Sequence, residues 1–178
     1  MILGRAWNRR SDRFLERKMS LRASVAQGVQ AGLLAGVAVA GFFFIGDLVR
    51  FEPLSTPNAL IAQIVGPGGV TLDVPLIGWA VAAVIFGAQL LKLTILHFLV
   101  FAVLGLSLVA LRDRVGLPLN VGTGALFGLI VCTLVFYLSV AAVSGGVLSG
   151  VPSFWAIVAA NGLAGAIMGG YCSDPDPV

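Results

Sequence analysis

The chain has 178 residues, of which 58% are hydrophobic and 11% charged, and its mean hydropathy is +1.02. A soluble domain carries roughly a quarter charged residues, so this composition excludes one and points to a bilayer. Uncharged runs as long as the roughly 20 residues of a helical span also exclude the strict alternation of a membrane β-barrel. The expected fold is an all-α integral membrane protein with four transmembrane helices, a basic N-terminal arm and a short surface helix.

The net charge of +3 is unevenly distributed, with seven of the eleven basic residues before position 23. Residues 1–27 form the expected arm. Its apolar residues, Trp7 among them, recur at near-heptad spacing between Arg9, Arg10, Arg13, Arg17, Lys18 and Arg22. A helix through this segment lies in the headgroup layer, with the basic side chains reaching anionic lipids. The juxtamembrane position favours that partner over nucleic acid.

The membrane domain is expected over 28–171, with spans at about 28–49, 88–111, 119–143 and 153–171. Ala38-Val39-Ala40 resembles a signal-peptide cleavage site, but the apolar run continues through Phe42, Phe43 and Phe44, which favours a retained span. In span one Gly28, Gly32, Gly36 and Ala40 recur every four residues. Such a ridge lets a second helix approach closely, so that van der Waals packing replaces the hydrophobic drive that lipid lacks. Gly124 and Gly128, followed by Cys132, repeat the pattern in span three, as do Gly165 and Gly169 in span four.

Between spans one and two, Ser55-Thr56-Pro57 is a helix start, with a hydroxyl cap and proline in the first turn. The stripe Leu60, Ile61, Ile64 and Val65 then predicts a short helix on the membrane surface, stopped by Gly66-Pro67-Gly68-Gly69. Val70–Val74 alternates weakly and suggests extended chain. The next apolar stretch, 74–111, is nearly twice a bilayer thickness if helical, yet lacks a turn cluster near Lys92. One span ending at Arg112-Asp113-Arg114 is expected. Residues 76–91, with Trp79, Ile85 and Phe86, then fold into the interface or face a partner subunit. The tail 172–178 is short and proline-broken.

With four spans and an N-terminus inside, nine Lys/Arg fall on the cytoplasmic side, which predicts a bacterial inner-membrane protein with both termini cytoplasmic. Trp155 and Tyr171 suit the outer and inner interfaces. Lys92 is expected at the outer headgroup level, where its amine snorkels. His97, the single histidine, lies five residues on and on another face. It is a candidate for inter-helix hydrogen bonding or, in the sharper alternative, for holding a cofactor. Asp47 can pair with Arg50 at i+3, and Asn161 and Tyr137 are candidate inter-helix donors.

No phosphate-cradling loop, zinc spacing, di-iron motif or disulfide framework appears in the sequence. No cofactor is required, and bound lipids are expected. The function expected is that of a non-catalytic accessory subunit of a larger bacterial membrane complex, by analogy an energy-transducing respiratory or photosynthetic one, packed against other integral membrane subunits. The alternatives are a small oligomeric transporter or channel, and a cofactor holder built on His97.

Overall fold

The computed structural model describes residues 3–65, 76–144 and 152–173, with side chains described over 21–62, 80–142 and 152–173. The segment Val70–Val74 and the acidic tail lie outside these residues, as do the side chains of Trp7, Arg9, Arg10, Arg13, Arg17, Lys18 and Trp79. All regular structure among the described residues is helical: α1 Leu3–Val49, α2 Ser55–Val65, α3 Leu76–Val115, α4 Val121–Phe127, α5 Thr133–Ser144 and α6 Phe154–Tyr171. A π turn, Gly128–Cys132, joins α4 to α5 without a break. Among the described residues four stretches are long and apolar enough to cross a membrane: Leu21–Val49, Ala80–Val115, Val121–Ala142 and Phe154–Tyr171. The chain is an all-α, multi-pass membrane protein.

Two boundaries differ from those the composition suggests. The basic arm and span one are a single helix, α1, and no terminus occurs at residue 27. Nothing before Gly28 breaks a helix, and a glycine inside an apolar helix costs less than unpaired backbone would in lipid. Likewise, residues 76–91 neither fold back nor form a separate element. They continue in line with 92–115 as α3, 40 residues long. Leu90-Leu91-Lys92-Leu93-Thr94 carries no breaker, so each amide keeps its bond to the carbonyl four residues back.

The helix ends are set by local chemistry. Gly116, at φ +70°, ends α3 in the left-handed conformation that glycine adopts most cheaply, with its N–H on the Arg112 carbonyl at 2.9 Å. Asn120 and Thr123 form a reciprocal capping box at the start of α4. The Ser153 hydroxyl accepts from Ala156 N–H to open α6.

α1 packs against α3 on one side and α6 on the other, and α6 packs in turn against α4. Both tight pairs meet through glycine. On α1, a Cβ placed on Gly32 would strike the Phe101 carbonyl, and one on Gly105 of α3 would strike Gly28. Between α4 and α6, Gly124 and Gly128 lie against Gly165 and Gly169 backbone to backbone, and a Cβ on any of the four would collide with main chain. Ala31, Ala35, Ala160, Ala164 and Met168 fill the layer between α1 and α6.

One end of the bundle carries Arg112 and Arg114. There the Arg112 guanidinium donates to Gln27 Oε1 at 3.0 Å and to the Cys172 carbonyl at 3.4 Å, tying α3 to α1 and α6. Tyr171 Oη donates to Gln30 Oε1 at 2.7 Å. Both cysteines are buried free thiols.

These contacts set a stability test. Gly32→Val and Gly165→Val force backbone apart and should each destabilise by about 2 kcal/mol or more. Gly41→Ala, whose added Cβ meets nothing within 4 Å, should be neutral or slightly stabilising. Thermal aggregation of the detergent-solubilised chain, followed by size-exclusion chromatography, reads the ranking.

Candidate functional site

At the end away from Arg112 the bundle opens. α4 is pressed along α6, but α5 makes little contact with it, and the π turn lies at the point of departure. A π turn spends an extra residue, so two sequence neighbours, Cys132 and Thr133, are both buried. On the other side α1 leaves the close approach beyond Gly36. The result is a partly open cavity of ≈ 640 Å³ bordered by α1, α2, α3, α5 and α6. Its wall is almost wholly apolar. Among the described residues the polar exceptions are Thr56, Thr94, His97, Ser139 and Asn161, and none of the lining side chains is charged.

His97 reaches the cavity from α3. Its Nε2 lies 2.9 Å from the Gly36 carbonyl on α1. A carbonyl only accepts, so Nε2 carries the hydrogen and donates. Gly36 also leaves room for the neighbouring ring: a Cβ there would stand 3.1 Å from Phe98. The imidazole is also held between Phe98, edge-on at 5.4 Å, and Phe101 at 4.8 Å. Its orientation is therefore set by one hydrogen bond and two rings.

That geometry bears on the cofactor alternative. Nε2, the nitrogen remote from the main-chain stem, is occupied by Gly36. Only Nδ1, beside the residue's own backbone, is left. A small donor group fits such a position better than a macrocyclic metal centre does. Lys92 plays no part here: it is exposed, does not line the cavity, and makes no ion pair among the described residues.

Asn161 on α6 is 6% exposed and donates from Nδ2 to Thr133 Oγ1 at 3.3 Å. The Thr133 hydroxyl in turn lies 3.4 Å from the Gly128 carbonyl, within the π turn. Tyr137, the other candidate donor, meets α6 through its ring, stacked 6.0 Å from Phe154.

α2 borders the cavity with Thr56, Pro57 and Leu60. What holds α2 in place is Asp47, whose hydrogen-bond donors lie in the first turn of α2. Arg50, three residues on, acts on Asp47 through its charge, without a direct ion-pair contact among the described residues. The Asp47 carboxylate is 2% exposed and accepts from Ser55 Oγ at 2.9 Å, Thr56 N–H at 2.9 Å and Thr56 Oγ1 at 2.7 Å. A negative charge on the first amides of a helix satisfies donors that the helix itself cannot. The turn between them places Phe51 and Leu54 at φ 58° and 67°, conformations that cost non-glycine residues about 1–3 kcal/mol. Asp47 offsets that cost from both sides, because its own carbonyl accepts from Glu52 N–H at 3.0 Å.

Asp47 and His97 do not form a catalytic pair. Gly36, which His97 binds, lies 11 residues before Asp47 on α1, about 16 Å along the axis. Among the described residues no three of His, Cys, Asp and Glu gather as metal ligands would.

Of the small-residue positions, Gly28, Gly32 and Gly36 face α3, and Gly124, Gly128, Gly165 and Gly169 face one another. Ala40 does not continue its ridge; it is exposed and lines the cavity. Arg22 is exposed, and Ile85 is 46% exposed beside a half-buried Phe86. Three contributors were missed in sequence: Gly105, marked only by Ala102 three residues before; Thr133, which a straight helix turns away; and Asp47 as a remote cap. The last had a signal, since Ser55-Thr56-Pro57 starts a helix with no acidic residue in its first turn.

Asp47→Ala leaves Ser55 and Thr56 without their acceptor, a loss of roughly 1–3 kcal/mol. Hydrogen exchange over residues 55–62 should accelerate by about tenfold or more, with exchange in α6 unchanged. Equal acceleration in both helices would mean that Asp47 supports the whole fold and not α2 alone.

No protein-family model matches the chain, and no curated protein or solved structure is significantly similar to it.

Proposed function

We propose that the protein is a non-catalytic integral-membrane accessory subunit of a larger bacterial membrane complex. The observation that carries this reading is α3. At 1.5 Å per residue its 40 residues extend about 60 Å, twice the hydrocarbon thickness of roughly 30 Å. With Arg112 and Arg114 at one headgroup layer, Val84 stands about 42 Å away along the helix axis. Yet this distal part is apolar and open, with Val81 54%, Val84 72% and Leu91 60% exposed. A surface of that kind requires a partner, and another membrane-embedded subunit supplies one.

Two further features support the reading. Three polar side chains within the bundle hold its elements together: His97 bonds Gly36, Asp47 bonds α2, and Asn161 bonds Thr133. The uneven distribution of Lys and Arg favours cytoplasmic N- and C-termini in a bacterial inner membrane, with the basic arm of α1 against anionic headgroups. In that orientation α2 and the cavity are at the periplasmic side. An energy-transducing complex remains the favoured parent by analogy.

Tagged full-length chain, solubilised gently from its native membrane, should run on native gels as a hetero-oligomer whose other members are identified by mass spectrometry. Val84→Arg, at an open position, should release it from that assembly while leaving its thermal stability within about 0.5 kcal/mol. Recovery of the wild-type chain only as a monomer or homo-oligomer sinks the proposal.

A further inference from the structure

We propose that the cavity beside His97 is a binding site for a membrane-soluble hydroquinone, a dihydroxy aromatic ring on an apolar tail. Four observations converge on this class of ligand. Among the described residues no charged side chain lines the space, so an anionic or cationic headgroup finds no counter-charge among them and its desolvation is uncompensated. The volume, ≈ 640 Å³, falls within the range of small-molecule sites, roughly 300–1,000 Å³, and suits a ring with a short length of tail.

The wall is also rich in aromatic rings. Phe43, Phe44, Phe98, Phe101 and Phe136 all border it, and flat rings pack against one another in offset or edge-on arrangements that an acyl chain cannot use. This favours an aromatic head over a diacylglycerol or a simple fatty alcohol.

The hydrogen-bonding sense selects the oxidation state. With Nε2–H given to Gly36, an uncharged His97 has a lone pair at Nδ1 and no proton there. It accepts and cannot donate. A hydroquinone offers an O–H to that nitrogen. The corresponding quinone offers a carbonyl oxygen, which places two acceptors face to face. Ser139 and Asn161, across the cavity on α5 and α6, can pair with either form and so do not discriminate. His97 therefore makes the site prefer the reduced ring. Binding alone is proposed, and no electron transfer is implied.

Because His97 is the single histidine, the site can be watched directly. Full-length chain labelled with ¹⁵N in the imidazole and reconstituted in phosphatidylcholine nanodiscs should show Nε2 protonated and Nδ1 unprotonated. Decylubiquinol should shift the Nδ1 resonance toward that of a hydrogen-bonded acceptor, and decylubiquinone should not. By titration the reduced compound should bind at least about tenfold tighter, the scale of one hydrogen bond against an unpaired acceptor.

His97→Ala should abolish that preference. If this variant fails to fold for want of the Gly36 contact, Ser139→Trp tests the same space from an exposed position and should weaken binding of both compounds by at least about tenfold. A proton on Nδ1 in the unliganded protein, equal affinity for the two oxidation states, or unchanged binding in Ser139→Trp would each overturn the proposal. So would persistent phosphatidylcholine occupancy that decylubiquinol fails to displace.

Discussion

The fold depends on glycine backbones meeting without side chains between them. In lipid, apolar surface gains nothing by leaving solvent, so helices adhere through close van der Waals contact and a few hydrogen bonds. Gly28, Gly32 and Gly105 bring α1 onto α3, and Gly124, Gly128, Gly165 and Gly169 do the same for span three and α6. α1 and α6 then join the pairs through an alanine and methionine layer. All this adhesion is concentrated toward the end bearing Arg112, where the guanidinium and Tyr171 add ties among α1, α3 and α6.

Tight packing at one end has a geometric consequence at the other. The π turn at Gly128–Cys132 ends the close contact of span three with α6, and the larger residues beyond Gly36 end that of α1 with α3. Helices that touch at glycine and then diverge leave space that phenylalanine side chains only partly fill. The cavity is thus a product of where the small residues stop. α2 borders it, held by a buried carboxylate on three hydrogen-bond donors.

Polar groups in this molecule follow from the same scarcity of water. A buried donor or acceptor without a partner is expensive, and no buried side-chain nitrogen or oxygen among the described residues lacks one. His97 finds a backbone carbonyl, Asn161 finds a hydroxyl, and Asp47 finds a helix terminus. Each of these contacts joins elements that glycine packing alone would leave free to slide or rotate. They specify orientation more than they add adhesion.

The sequence by itself determined the solvent, the number of spans, the helical start at Ser55 and the faces on which small residues gather, since composition and period are properties of the chain alone. It also placed Lys92 and His97 on different faces of one helix. Only the tertiary structure decided which ridge meets which, that Ala40 leaves its ridge for the cavity, that span three carries a π turn, and that 76–91 stay in line with α3. It also gave Asp47 to α2 and His97 to Gly36. The reason is physical. A period names a face but not the partner opposite it, and every residue carries the same carbonyl, so an acceptor such as that of Gly36 has no mark in sequence until the helices are packed.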